Sequence, residues 1–432
     1  MVERLSVHPP FQPSPSPRFE HPTAVHFGAG SIGLGFIGVL LAKAGYHVIF
    51  ADINPKVISR LNIDTTYTIS YLGPRRPRPF HVHNISGVLS NDKAGIMTLA
   101  EDIADREMKI ITTSIGFGAL KQIAPIVARG ITLRKEEHSG SLNVIACENG
   151  KGASDLLKVE VYKDLDEDTR AWADLHVGFA NCSVDRIVPS PVHEQEEMLS
   201  VGVDKFFEWI VDINGLKSVN RSRPTLTLDP PIPGMILTET LPAYQDRKLY
   251  VFNCGHAITA YLGTIFRRKV ISEAIADKNI LTIVKGAMEE SGSALVKEYP
   301  EAFHKHDIES YINKTIGRYQ NPNVVDDVTR VGRQPLRKLG HEERLLGPFH
   351  LAKKHGLPTK YLATGIAAAL MYRNDDDEQA IELKNTEEAD GVEGAIQKIF
   401  GIKHGAGDFE EILDAYNTLA DQRKEFISKE KN

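Results

Sequence analysis

The sequence predicts an α/β chain: a Rossmann-type, doubly wound, mostly parallel sheet followed by a largely α-helical carboxyl-terminal domain. Three observations predict it. The apolar run "AVHF" (24–27) meets "GAGSIG" (28–33), then a helical stretch with one apolar face, then the apolar run "HVIFADIN" (47–54). Strand, glycine turn, helix, strand is a βαβ unit. Strand-like and helix-like runs continue to alternate as far as "FFEWIVD" (206–212), which argues for a parallel sheet with helices on both faces. Beyond the proline-rich stretch "RPTLTLDPPIPGM" (223–235), strand patterns fade and helical spacing takes over.

In order, "LGFIGVLLAKAGY" after the glycine turn reads as a helix, and "HVIFADIN" as a strand closed by Asp52. "KIITTSI" (109–115) is a strand, "GALKQIAPIVARGI" a helix, and "LNVIACENG" (142–150) a strand ending in polar residues. "VDRIVPS" (184–190) and "FFEWIVD" read as late strands. In the second half, "ISEAIADKNILTIVKGAMEESGSALVKEY", "YLATGIAAALMY" (361–372) and "DFEEILDAYNTLADQRKEFISKE" carry helix formers at helical spacing. The expected organisation is a flexible tail over 1–22, a dinucleotide-binding domain over 23–225 and a mostly helical substrate domain over 226–432.

The 432 residues are 42% hydrophobic and 25% charged, an ordinary globular balance that suits two domains. A formal net charge of −6 gives no basic surface for nucleic acid. The three cysteines (Cys147, Cys182, Cys254) form no Cys-x-x-Cys pair, which fits a reducing, cytoplasmic setting. "HVH" (81–83) has no third ligand beside it, so no metal site is expected. No apolar run reaches the ~20 residues of a membrane span; "YLATGIAAALMY" suits a buried helix instead.

Gly28, Gly30 and Gly33 form G-x-G-x-x-G. The first glycine allows a tight turn, the second lets a pyrophosphate approach the backbone, and the third lets helix and strand pack closely. The phosphates then meet free N–H groups and the positive end of the helix dipole. The cofactor candidates are Val25, Phe27, Gly28, Ala29, Gly30, Ser31, Ile32, Gly33 and Asp52. A carboxylate at Asp52 accepts from both ribose hydroxyls of NAD and repels the extra phosphate of NADP, while Ile53 offers no compensating charge. Asp52 capping the next turn is the structural alternative.

The stretch "KLYVFNCGH" (248–256) places Lys248, Asn253 and His256 among otherwise mostly apolar or small residues. On an ideal helix they project at roughly 0°, 140° and 80°, along one broad wall. Oxidising an alcohol needs a base for the hydroxyl proton and donors for the developing oxyanion. Lys248, if desolvated, serves as base. Asn253 offers amide N–H groups, and Asn149, at the end of "VIACENG", offers a second donor at the strand end where ligands bind.

Lys248-x4-Asn253-x2-His256 resembles the signature of the polyol-specific long-chain dehydrogenases and reductases, nearest to their mannitol-1-phosphate branch. "CENGKGA" (147–153) and "NPNVVDDVTRVGRQPLRKL" (321–339) are similar to segments of that family, and the likeness runs from about residue 24 to 425. The resemblance implies a Rossmann-type domain joined to a helical one with the active site between them, metal-independent chemistry and a monomer. It implies Lys248 as general acid/base, Asn149 and Asn253 on the reacting oxygen, and His256 on the polyol. The implied reaction interconverts D-mannitol 1-phosphate and D-fructose 6-phosphate with NAD. Ser31 and Leu34 depart from the Asn and Arg often found there.

A phosphorylated substrate needs cations, and Arg330, Arg333, Arg337, Lys338 and Arg344 cluster in one region. Arg330 and Arg333 are the first candidates; a solvated basic surface beside Glu342 and Glu343 is the alternative. Gly332, Pro335 and Gly340 argue against one continuous helix there. Tyr244-x3-Lys248 mimics the catalytic pair of short-chain dehydrogenases, but the glycine spacing does not fit that class. A related enzyme for a free polyol or hexuronate, and a non-enzymatic NAD sensor, are the rival functions. Replacing Asp52 by Ser is expected to weaken NAD binding and narrow the NAD-over-NADP preference by about tenfold or more. Titration with both cofactors checks this, and an unchanged ratio refutes it.

Overall fold

Six strands build the central sheet: β1 (Thr23–Phe27), β2 (His47–Asp52), β3 (Ile85–Leu89), β4 (Met108–Thr113), β5 (Leu142–Ala146) and β6 (Val177–Phe179). The computed structural model describes residues 18–73, 78–188, 199–218, 227–402, 404–405 and 407–430. Most of the expected tail, positions 189–190 of "VDRIVPS" and positions 223–226 of the proline-rich stretch lie outside those residues. The order in the sheet is β3-β2-β1-β4-β5-β6, and every neighbouring pair is parallel. That is the Rossmann order, with the reversal between β1 and β4. β1 and β5 are buried along their whole length, as strands covered on both faces must be.

Local chemistry sets the helices around this sheet. Asn54 caps Pro55–Asp64 through Lys56 N, Asp92 caps Lys93–Ala104 through Gly95 N, and Asp166 caps Glu167–His176 through Thr169 N. The "GALKQIAPIVARGI" helix runs from Leu120 to Glu136. Of "VDRIVPS" only Val184 and Asp185 are strand, as the end of Cys182–Asp185, while 186–188 are not. "FFEWIVD" gives Glu208–Asp212, and these two strands pair antiparallel with each other and stand apart from the central sheet. Met235–Thr238 completes that second, three-stranded sheet. A third sheet, with no counterpart in the sequence-based expectation, joins Ser200–Asp204, Tyr67–Leu72 and Phe80–Val82.

At the amino-terminal edge of the central sheet lies Arg134, wholly buried. Its guanidinium donates to the carbonyls of Ile103 (2.9 Å), Asp105 (2.6 Å), Met108 (3.0 Å), Ser139 (3.2 Å), Gly140 (3.0 Å) and Ser141 (3.0 Å). One side chain thus satisfies the end of Lys93–Ala104, the start of β4 and the loop entering β5. Burial lowers its pKa to about 10, still far above neutrality.

The chain divides into two compact units. The first lies within Met1–Ser70, Arg78–Val203 and Phe207–Glu239, and the second within Tyr71–Pro77, Asp204–Phe206 and Thr240–Asn432. The first domain was expected to end at 225; the compact unit runs on to Glu239 and cedes two short segments to the second. The second unit is helical. Its centre is Cys254–Ile265, with ten of its twelve residues buried. Glycine lets a neighbour approach this helix closely: a Cβ on Gly365, in Lys360–Leu370, would stand 2.4 Å from Ile258. The expected long helix from 271 is two, Ile271–Ala276 and Lys278–Glu298, because Asp277 caps the second through the N–H groups of Asn279 and Ile280. No helix among the described residues is long and apolar enough to cross a membrane.

Replacing Arg134 by Met leaves several buried carbonyls without a donor. The expected loss is about 3–5 kcal/mol, read as a lowered urea midpoint; a midpoint equal to the parent's refutes the bracing role.

Candidate functional site

In the first unit, the carboxyl ends of β2, β1, β4 and β5 share one edge of the sheet, and four sequence segments meet there. The glycine turn leaves β1. Gly28 has φ +107°, a conformation that favours glycine, and a Cβ on it would lie 2.8 Å from Ser114 O. A Cβ on Gly33 would lie 1.9 Å from Gly28 O, whereas one on Gly30 would meet nothing within 4 Å. The turn is closed at its first and third glycines and open at its second, which is the cradle a pyrophosphate requires. Gly30 is exposed and Ser31 and Ile32 are half-buried, so they present the turn's surface. Val25 and Phe27 are wholly buried in the core beneath. Their side chains support the turn from the core side.

Asp52 closes β2 as expected and also braces the turn. Its Oδ2 accepts from Ala29 N (2.6 Å) and its Oδ1 from Asn54 N (2.8 Å). Each carboxylate oxygen has a second lone pair, so the capping and ribose-binding roles coexist. Ala29's N–H is committed to Asp52. Beneath the turn, His26 spans β1 and β4, with Nδ1 2.7 Å from Thr112 Oγ1 and Nε2 2.9 Å from Ser114 Oγ. Burial drags its pKa to about 3, so the imidazole is neutral and serves as a fixed bracket.

Asn149 follows β5 and is exposed, directly after the buried Glu148. Glu148 accepts from Thr113 Oγ1 (2.6 Å), Ile115 N (3.0 Å) and Gly116 N (2.9 Å). It ties the β5 end, and the peptide leading to Asn149, to the loop after β4. Inside "CENG" the sequence alone gives Glu148 no such role. The three cysteines are buried, and burial pushes the thiols of Cys147 and Cys254 up, away from reactivity.

In the second unit, "KLYVFNCGH" departs from an α-helix. Between Leu241–Arg247 and Cys254–Ile265 the chain widens into a π-helical turn over Lys248–Asn253, with Cys254 N–H reaching Leu249 O. An i→i+5 repeat brings a residue five positions on nearer to the same face than the ~140° of an α-helix, so Lys248 and Asn253 converge. Lys248, Asn253 and His256 are all half-buried. Carbonyls of the widened turn find side-chain donors: Ser291 Oγ donates to Tyr250 O (2.7 Å) and Tyr319 Oη to Phe252 O (2.5 Å).

His256 lies against Tyr319, rings nearly parallel at 11° with centroids 5.1 Å apart, and against Phe252 at 5.7 Å. Its Nε2 is 3.2 Å from Asp326 Oδ2. Asp326 Oδ1 in turn holds Arg330 at Nε (2.8 Å) and Nη2 (2.5 Å). Burial, with the charges of Arg330 and Lys338, lowers the His256 pKa despite Asp326. Burial pushes Asp326 up, but His256 and Arg330 outweigh it and its pKa falls below the usual carboxylate value. A neutral imidazole thus donates to an ionised carboxylate.

The basic cluster is real in space. The helices Val328–Gly332 and Pro335–Lys338 are separate, as Gly332 and Pro335 foretell. Lys338 is buried, and its ammonium donates to Val331 O and, at 2.6 Å, to Arg333 O. Burial, then Arg344, Arg337 and Arg333, lower its pKa to about 7. Arg337 and Arg344 each pair with Glu343 at 3.0 Å. Arg330 and Arg333 line one cavity of about 560 Å³, whose other wall carries Asp376, Asp377 and Glu378. Sequence reasoning missed Asp326 and Lys338 as partners; both stand inside "NPNVVDDVTRVGRQPLRKL", and only their bonds give them roles.

Comparisons with known proteins agree across the chain. Residues 22–224 match the model of the mannitol dehydrogenase Rossmann domain, and residues 240–420 match that of the mannitol dehydrogenase C-terminal domain. Among solved structures, D-sorbitol dehydrogenase in substrate-free form superposes with a TM-score of 0.77 at 15% identity, over 94% of this chain and 96% of that one. Mannitol 2-dehydrogenase of Pseudomonas fluorescens, in a ternary complex with NAD and D-mannitol, gives 0.66 at 15% identity, over 96% of each chain.

Proposed function

Since the chain belongs to the mannitol dehydrogenase family, with both of its domains, we propose that it interconverts D-mannitol 1-phosphate and D-fructose 6-phosphate. It is an NAD-dependent oxidoreductase acting on a CH–OH group. The glycine turn, open only at Gly30, and Asp52 beside it would hold the dinucleotide. Bound NAD supplies the hydride acceptor. Lys248 takes the hydroxyl proton during oxidation and returns it during reduction. Asn253 and Asn149 donate N–H groups to the oxygen as its charge develops. His256 hydrogen-bonds the polyol chain, and Arg330 and Arg333 receive the phosphate. The enzyme acts as a monomer and without a metal.

One observation carries the phosphate reading: the charges of Arg333, Arg337 and Arg344 converge on Lys338, and those of Lys338 and Arg330 reach His256. Arg330 and Lys338 thus stand near His256 alongside Asp326, and an unphosphorylated sugar does not need such cations. An unphosphorylated substrate has its own support, because Asp326 and Glu343 already pair with three of those arginines.

Two guanidinium contacts at roughly 1.5–3 kcal/mol each favour fructose 6-phosphate over fructose by about 10²-fold or more in kcat/KM. NADH oxidation with both ketoses measures this; comparable efficiency overturns the phosphate assignment. Lys248→Ala is expected to lower kcat by about 10²–10⁴-fold with NADH binding retained. Turnover near the parent's means that another group is the base.

A further inference from the structure

We propose that Asp326 is a positioning residue for substrate recognition, its carboxylate fixing the tautomer of His256 and the pose of Arg330 together. The inference rests on the polyol-phosphate reading, in which both partners meet substrate. Asp326 is 3% exposed, and its main chain already serves the fold, since its carbonyl accepts from Ile271 N at 2.9 Å. The side chain does something else. One oxygen faces His256 Nε2 and the other grips Arg330 at two nitrogens. A buried carboxylate is stable only when such donors satisfy it, so neither partner can turn away without cost.

The consequence for His256 is specific. An ionised carboxylate accepts, so Nε2 carries the proton and Nδ1 keeps its lone pair. Stacking on Tyr319 and contact with Phe252 hold the ring plane. No other hydrogen bond to the imidazole is found among the described residues. His256 therefore presents an acceptor, and it selects a substrate group that donates: a hydroxyl of the sugar chain. Arg330, held at Nε and Nη2, keeps Nη1 for an anion while remaining 52% exposed beside Arg333.

Asp326→Asn separates this role from general support. Arg330 claims the amide oxygen, the amide N–H₂ turns to His256, and the imidazole proton moves to Nδ1. The KM for ketose phosphate is expected to rise about tenfold or more, with kcat within about threefold and NADH binding unchanged. In a His256→Ala background the same change raises KM by a clearly smaller factor. Nitrogen-15 NMR of labelled histidines, with His256 assigned by its loss in His256→Ala, must show an Nε2-protonated ring in the parent and an Nδ1-protonated ring in Asp326→Asn. An Nδ1-protonated parent overturns the proposal, as does an unchanged KM, or a loss of NADH binding equal to the loss of turnover. If Asp326→Asn does not fold, the parent spectrum decides. A parent inactive on fructose 6-phosphate refutes the substrate reading alone, since the tautomer is measured without turnover.

Discussion

A buried carbonyl released from its helix must find another donor, and both halves of the chain's chemistry depend on this constraint. Each candidate segment includes a helix that widens by one residue. After the glycine turn, Gly33–Ile37 is π-helical, closed by Gly38 N–H on Gly33 O. There Tyr67 Oη donates to Leu34 O (2.8 Å) and Arg186 Nη1 to Gly35 O (2.9 Å). At Lys248–Asn253 the donors are Ser291 and Tyr319. Widening costs regular helical hydrogen bonds, and distant side chains restore them. In the first case the gain is the entry of a helix from a closely packed turn; in the second it is the approach of Lys248 and Asn253 to one face.

Carboxylates form the second level of organisation. Asp52, Glu148 and Asp326 each accept at least two hydrogen bonds, and in each case a candidate ligand-binding group is held as a result. Asp52 holds the backbone of the glycine turn, Glu148 the loop beside Asn149, and Asp326 an imidazole and a guanidinium. None needs to exchange a proton in turnover. Their value is preorganisation, because a group already fixed by its neighbours loses little freedom when substrate arrives. Lys338 does the converse for cations: buried and bonded to two carbonyls, it pins the turn between two short helices under the arginines.

Much of this was legible in the residues. The glycine spacing, an apolar run before it and Asp52 after it specify a dinucleotide turn, and the open flank of Gly30 matches that reading. The helical second half was legible from spacing, and Asp277 was an available stop signal inside the long stretch at 271–299. The second and third sheets were not, because strands of three to six residues joined across long gaps leave little periodicity.

The sequence by itself determined the βαβ start, the two-part architecture and the residue types that chemistry at a carbinol requires, since these follow from contacts and spacings within a few residues. Tertiary structure alone decided where the helices widen, which carboxylate holds His256 and which arginines share a cavity. Those outcomes depend on donors 67 positions away, as Tyr319 is from Phe252, or 151 away, as Arg186 is from Gly35. No local pattern encodes a partner that only folding brings within hydrogen-bond reach.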